Sequence, residues 1–200
     1  MAFSLSSLYA QTFVTLQGIA SFQNSNFGSS NADPDPSSWT NGIGFAAQVS
    51  APITKSLFLS PAIEFDQFRF DHYIYYGVRI PESSPTSSRG EDSRIFRIGL
   101  EAKLVSITHP NFSPYVSSGI TYITEHLGDI YVTYSDAYDS KPREFKLQNH
   151  SKSYWAHSLG VGTKFILFDN FGFDFAAKYY SNYSDRFQKS VSVGLIYQFD

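Results

Sequence analysis

The chain of 200 residues has no cysteine, which removes disulfides and thiolate metal sites from its repertoire. It is also short of charge. Charged residues make up 16%, against about a quarter in ordinary soluble domains. The net charge of −3 is scattered in sign, which argues against nucleic acid as a partner. No run approaches the roughly 18 consecutive apolar residues of a membrane helix, and the mean hydropathy is −0.22. That absence still leaves strand crossings open, because a barrel strand hides every second residue from lipid. No spacing of histidines and carboxylates fits a metal site, and no cofactor is expected. What the chain has in quantity is aromatics, 18%, with Ser and Gly in place of the Leu, Glu, Lys and Ala of helical proteins. That balance favours strands.

The last ten residues, VSVGLIYQFD, set the pattern. Val191, Val193, Leu195, Tyr197 and Phe199 alternate with Ser192, Gly194, Ile196 and Gln198. A period of two over ten residues is a strand of one tilted membrane crossing. Seven further segments repeat it. Val14, Leu16, Gly18, Ala20 and Phe22 share a face, with Ile19 as an apolar exception opposite. Ile43, Phe45, Ala47 and Val49 follow, then Leu57, Leu59, Ile63 and Phe65, where Pro61 implies a local bulge. In RIFRIGLEAKL, Phe96, Ile98, Leu100, Ala102 and Leu104 alternate with Arg97, Gly99, Glu101 and Lys103. Val116, Ile120 and Tyr122 are read as the apolar face of YVSSGITYITE. Trp155, His157, Leu159, Val161 and Phe165, then Phe171, Phe173, Phe175, Ala177 and Tyr179, complete the set.

Eight segments are separated by connections that alternate long and short, beginning with a long one. Asn24 to Ser38, about His72 to Asp92, Asn182 to Gln188, and the polar tip SDAYDSKP within 128–151 are the long ones. The stretch 128–151 keeps strand alternation (Ile130, Val132, Tyr134) and reads as a hairpin reaching past a membrane. The expected fold is all-β: an eight-stranded antiparallel up-and-down transmembrane β-barrel, with long extracellular loops and short periplasmic turns. The alternative is a soluble, lipocalin-like binding barrel with its apolar face inward.

The second face decides for the membrane. It carries Gly42, Gly44, Gly99, Gly119, Gly160, Gly162 and Gly194, which suit a narrow interior rather than a solvated surface. It also carries Glu64, Asp66, Arg97, Glu101, Lys103, Lys164, Asp174 and Lys178. Enclosed, these must form a mutually paired charge network, because an unpaired buried charge is costly. Phe13, Trp39, Tyr115, Trp155, Phe171, Tyr197 and Phe199, near segment ends, are expected to form interfacial girdles.

The segments SPYVSSGITY, GVGTKFILFDNFGFDFAAKYY and SVGLIYQF resemble the small eight-stranded bacterial outer-membrane barrels of the OmpA transmembrane-domain and OmpX type. The resemblance covers the chain after Gln11. It implies residence in the Gram-negative outer membrane with both termini periplasmic, contact with lipid and lipopolysaccharide, and no cofactor. It also implies that the barrel-assembly machinery reads the terminal strand Val191, Val193, Leu195, Tyr197 and Phe199, here followed by Asp200. MAFSLSSLYAQ resembles the tail of a secretory signal peptide, so residues 1–10 are expected to be a leader remnant and 11–200 the barrel.

Some small barrels of this kind modify lipid A. The deacylase type carries His-x-Ser on a lipid-facing strand, but His157 is followed two residues on by Leu159. The palmitoyltransferase pattern has only loose echoes, Asp92-Ser93 or Asp139-Ser140 with His72, and its N-terminal helix is missing. His72, His109, His126 and His150 are read as rim or loop residues. The expected function is therefore non-enzymatic: a structural, adhesin-like surface role through loops 24–39, 71–93 and 128–150. The alternative is an accessory subunit of a larger outer-membrane complex.

Overall fold

The computed structural model describes residues 11–24, 41–70, 83–106, 111–136, 143–147, 151–168, 170–181 and 187–199. These hold eleven strands: β1 (Thr12–Asn24), β2 (Asn41–Pro52), β3 (Leu57–Phe68), β4 (Ser83–Gly90), β5 (Ser93–Val105), β6 (Phe112–His126), β7 (Ile130–Asp136), β8 (Arg143–Leu147), β9 (Ser151–Phe168), β10 (Phe171–Ser181) and β11 (Phe187–Phe199). Eight of them close a barrel in the order β1-β11-β10-β9-β6-β5-β3-β2, and β4, β7 and β8 form a separate three-stranded sheet. Closure is made by β1 against β11, from Thr12 opposite Phe199 to Asn24 opposite Phe187. All barrel neighbours pair antiparallel.

The apolar face is outside. Leu100 is 48% exposed, Phe173 37% and Leu195 61%, whereas Arg97 and Glu101 are 1% and 2% exposed. A soluble barrel has the opposite arrangement. Here an apolar surface far larger than any monomer shows to water encircles the wall, which marks it as lipid-facing. Along β9 the belt runs from Trp155 to Phe165. Ten steps of about 3.3 Å tilted by about 40° give roughly 25 Å, the height of a barrel's apolar band. Trp155 packs on Tyr122 at 5.1 Å at one border. Beyond it the outward residues turn polar and bond to one another: Thr124 with Ser153 at 3.2 Å, His126 with Ser151 at 2.8 Å, and Gln67 to Asp92 at 2.6 Å. Phe171, Tyr197 and Phe199 stack at the other border, with centroids 4.9 and 4.7 Å apart. Two residues assigned to the girdles point inward instead. Tyr115 is 5% exposed and Phe13 packs against Phe58. Each has the same parity as the interior residues Ser117 and Thr15, and period two overrides the aromatic's preference for an interface. Trp39 lies outside the described residues.

The described residues that flank or form the short connections, 53–56, Ser106, Asn111 and Asn170, lie at one end and are tied to neighbouring strands. Val105 N donates to Ser56 O (2.7 Å) and Gln198 N to Asn170 O (2.8 Å), while Leu57 N donates to Thr54 Oγ1 at 3.1 Å. Connection 182–186 is shorter than the loop read from the sequence, because β11 begins at Phe187. Pro61 makes no bulge. The register of β3 is unbroken on both sides, and the ladder to β2 lapses between the pairs Gln48–Ala62 and Ala51–Leu59. Ser60 Oγ donates to Ser50 Oγ (2.9 Å) across that gap, so a side-chain bond stands where proline supplies no N–H.

The other departure is β4, inside the segment read from its Pro, Ser and Gly as a loop. Its strand form comes from pairing with β7, with the register slipping between Pro85 and Ser87. The register that pairs Arg94 with His126 also pairs Gly90 with Ile130, and the one that pairs His126 with Ser151 also pairs Ile130 with Leu147. The small sheet is thus a continuation of β5, β6 and β9 past the apolar belt. At 127–129 the buried side changes from odd residues (Ile123, Glu125, Leu127) to even ones (Ile130, Val132). Ile130 and Val132 join a cluster with Phe68, Ile95, Ile123, Ala156 and Tyr180 that caps the barrel at this end.

A charge on the belt should be far costlier than one inside. Leu100→Arg is expected to destabilise the barrel in a lipid bilayer by about 2–4 kcal/mol, the cost of Arg near the midplane. Urea titration in vesicles, followed by the folded and unfolded gel bands, reads it; an unchanged midpoint would place Leu100 away from lipid.

Candidate functional site

Inward positions bring together all eight charged residues singled out in the sequence, and each is at most 6% exposed. Glu64 on β3 is the hub. Its carboxylate accepts from Lys178 Nζ at 2.8 Å and from Tyr180 OH at 2.6 Å, with Arg97 NH1 3.7 Å away. Arg97 is ion-paired with Asp66, which also accepts from Ser21 Oγ at 2.8 Å. Arg97 NH2 donates to Gln188 Oε1 (2.7 Å), and its guanidinium lies over the Tyr180 ring at 4.9 Å. Gln188 in turn donates to Glu125 at 2.7 Å, and Tyr154 OH donates to the same carboxylate at 2.5 Å. Lys178 bridges Glu64 to Glu101, again at 2.8 Å.

Lower down, toward the short turns, neutral groups carry the links. Gln48 donates to Glu101 at 3.2 Å and accepts from Lys103 at 2.5 Å, so an amide joins an ion pair that does not touch directly. Asp174 accepts from Tyr115 OH at 2.9 Å and Gln17 Nε2 at 3.2 Å. Lys164 stands opposite Asp174 in the ladder, yet its ammonium has no hydrogen-bond partner among the described residues. It sits 3.9 Å from the Phe13 ring centroid, 5.3 Å from Phe58 and 6.0 Å from Tyr115, held by ring quadrupoles. Expecting every interior cation to meet a carboxylate was therefore too simple. Lys103 is met by an amide and Lys164 by aromatic faces.

Close strand approach makes room for this network. A Cβ on Gly44 would run into the Phe65 carbonyl and the Asp66 carboxylate, and one on Gly119 would meet Glu101 Cα at 2.9 Å. A side chain on Gly44 would push aside the Asp66 carboxylate, and one on Gly119 would press on the β5 backbone that carries Glu101. Polar partners that the sequence did not reveal are Gln17, Gln48, Tyr115, Glu125, Tyr154, Tyr180 and Gln188. Gln17, Gln48 and Tyr180 share the parity of the charged residues and were findable on that ground. Glu125, Tyr154 and Gln188 lie at strand ends beside connections, where phase is lost.

The polar zone is closed at both ends. Phe68, Ile95, Ile123, Ile130 and Tyr180 cap it on the sheet side, and Phe58, Val105, Tyr115 and Ala176, with Phe13, cap it on the turn side. Among the described residues no group of three or more His, Cys, Asp or Glu could hold a metal. His126 bonds Ser151 at the rim, and His157 faces outward, between Ile120 and Ser181 in the ladder. His72, His109 and His150 lie outside the described residues. The arrangement, among the described residues, is a braced polar core flanked by an apolar cluster at each end.

Two outcomes follow. Planar-bilayer recordings should show no stable, porin-sized conductance, and a steady large current would contradict the caps. Glu64→Gln should cost about 3–5 kcal/mol, because it strips a charge from Lys178 and Arg97 together, while Lys164→Met should be neutral or stabilising. Denaturant midpoints of both variants in bilayers test the contrast, and equal losses would contradict it.

The chain matches no model of a known protein family and no curated protein. Solved structures do match along nearly its whole length. The attachment invasion locus protein Ail of Yersinia pestis aligns with a TM-score of 0.57 at 14% identity, over 95% of this chain and 99% of that one. Ail in complex with the heparin analogue sucrose octasulfate gives 0.55 at 15%, over 94% and 98%. Neisserial surface protein A gives 0.54 at 13%, over 94% and 97%. At such identities the likeness speaks to architecture, and it agrees with the inverted faces and eight-strand closure. The chain has the fold of the small eight-stranded outer-membrane β-barrels.

Proposed function

We propose that the chain is a non-enzymatic integral protein of the Gram-negative outer membrane that makes surface contacts through its protruding sheet. The first and last described strand residues, Thr12 and Phe199, lie at the short-turn end, which is read as periplasmic, and β4, β7 and β8 then stand on the cell surface. The terminal strand β11, with Val191, Val193, Leu195, Tyr197 and Phe199 outward, is the segment proposed to be read by the barrel-assembly machinery. Lipid and lipopolysaccharide are the proposed surroundings of the belt.

One observation carries this reading: the wall continues past the belt as a paired sheet whose outer side is polar. On that side Arg89, Tyr131 and Lys146 are neighbours in the ladder. Arg89 pairs with Glu144 at 2.9 Å and Lys146 with Asp129 at 2.5 Å, and both cations lie over the Tyr131 ring, at 4.8 and 5.7 Å. The Asp129 carboxylate raises the Lys146 ammonium above its ordinary pKa. The similar fold of an attachment protein and of a surface protein supports a surface role. The ligand is read differently from that of the neighbour solved with a heparin analogue. Arg89 and Lys146 each already have a carboxylate beside them, which favours a mixed-charge protein partner over a polyanion.

The test replaces residues 83–90 and 130–147 by short turns in the full chain and measures adhesion of expressing cells to a cultured cell layer. Adhesion should fall to background while the heat-shifted gel band of a folded barrel persists. Unchanged adhesion, with a partner protein still co-purifying from solubilised membranes, would favour the accessory-subunit reading in its place.

A further inference from the structure

Among the described residues β8 is paired on one side only. β7 occupies one edge from Ile130–Leu147 to Tyr134–Arg143. On the other side β10 reaches up only to Ser181, opposite His157. Among the described residues no strand pairs with the far edge of Arg143–Leu147. A bare edge presents unmet N–H and C=O groups and is a template for another strand.

The edge sequence, REFKL, is complementary to itself when two copies pair antiparallel about its centre and not when they pair parallel in register. Two copies laid antiparallel about Phe145 place each Glu144 opposite the other copy's Lys146, and both of these residues are exposed. Two copies laid parallel in register place Glu144 beside Glu144 and Lys146 beside Lys146. Opposite charges across a ladder stabilise and like charges destabilise, so antiparallel pairing is selected. The direction has a geometric consequence. β8 continues into β9, a wall strand tilted about 40° from the barrel axis. Two barrels inserted the same way in one membrane therefore present these strands at no more than about 80° to each other, and never antiparallel. Only barrels in two facing membranes can.

We propose that the free edge of β8, Arg143–Leu147, pairs antiparallel with the same edge of a second copy of this chain in an apposed membrane, joining two three-stranded sheets into one of six. This names the partner of the surface role above and rests on that reading. A five-residue contact is weak singly, and many copies across two surfaces supply the strength.

The experiment uses phosphatidylcholine vesicles carrying the full chain, in two dye colours, with docking read by two-colour coincidence. Wild-type vesicles should dock. E144K vesicles alone, and K146E vesicles alone, should dock at least about tenfold less, since both contacts at the two-fold become repulsive and the loss multiplies over many copies. E144K vesicles mixed with K146E vesicles should recover, and so should the double variant E144K/K146E with itself. The heat-shifted band confirms that each variant is folded, as substitutions at exposed positions should leave it. Single reversals that dock like wild type, or complementary variants that fail together, overturn the proposal. If wild-type vesicles bind a cultured cell layer but not each other, the self-pairing falls and the surface role stands. If they bind neither, both fall.

Discussion

The pairing of β1 with β11 is the constraint from which the rest of the molecule follows. In hydrocarbon an unmet backbone N–H or C=O costs several kcal/mol, so a sheet can cross only if it has no edge. Thirteen registered pairs, from Thr12–Phe199 to Asn24–Phe187, remove the edge that the first and last strands would otherwise leave. Once the sheet is closed, period two leaves each side chain a choice between lipid and a narrow lumen. Aliphatic and aromatic groups go out, and Gly, Ser, Gln and the charges go in. The interior network is a consequence of closure as much as a support for it.

That network is held by mixed means. Glu64, Arg97, Asp66, Lys178 and Glu101 form a chain of ion pairs, with neutral donors and acceptors from Ser21, Gln48, Tyr180 and Gln188 set among them. Gln48 and Gln188 span gaps too wide for direct pairing, because an amide can donate to one partner while accepting from another. Lys164 shows the other solution, an ammonium resting on aromatic faces. The two apolar caps keep water from competing with these contacts, which strengthens each of them.

Most of the fold was legible because alternation is a strong signal once it is sustained. RIFRIGLEAKL fixes its own faces without reference to any neighbour, and so does the terminal strand. Tyr115 and Phe13 were misplaced because residue type was allowed to outweigh parity next to a turn. β4 was invisible: SSPTSSRG has almost no strand preference, and its form is borrowed from β7. Pro61 was over-read, since a missing donor can be absorbed by a lapse in the ladder as well as by a bulge. The charged cluster was legible as a set but not as a wiring diagram, because which amide or phenol meets which charge depends on inter-strand register.

The register carried from β6 and β9 into β7 and β8 also decides how the protein answers to force. A load drawn along β7 or β8 acts parallel to the strands, so the ladder bonds to their neighbours must shear together and cannot unzip in succession. The projecting sheet is thus a stiff handle on the barrel wall, and tension applied at its tip is delivered to the membrane-embedded cylinder with little slack in between.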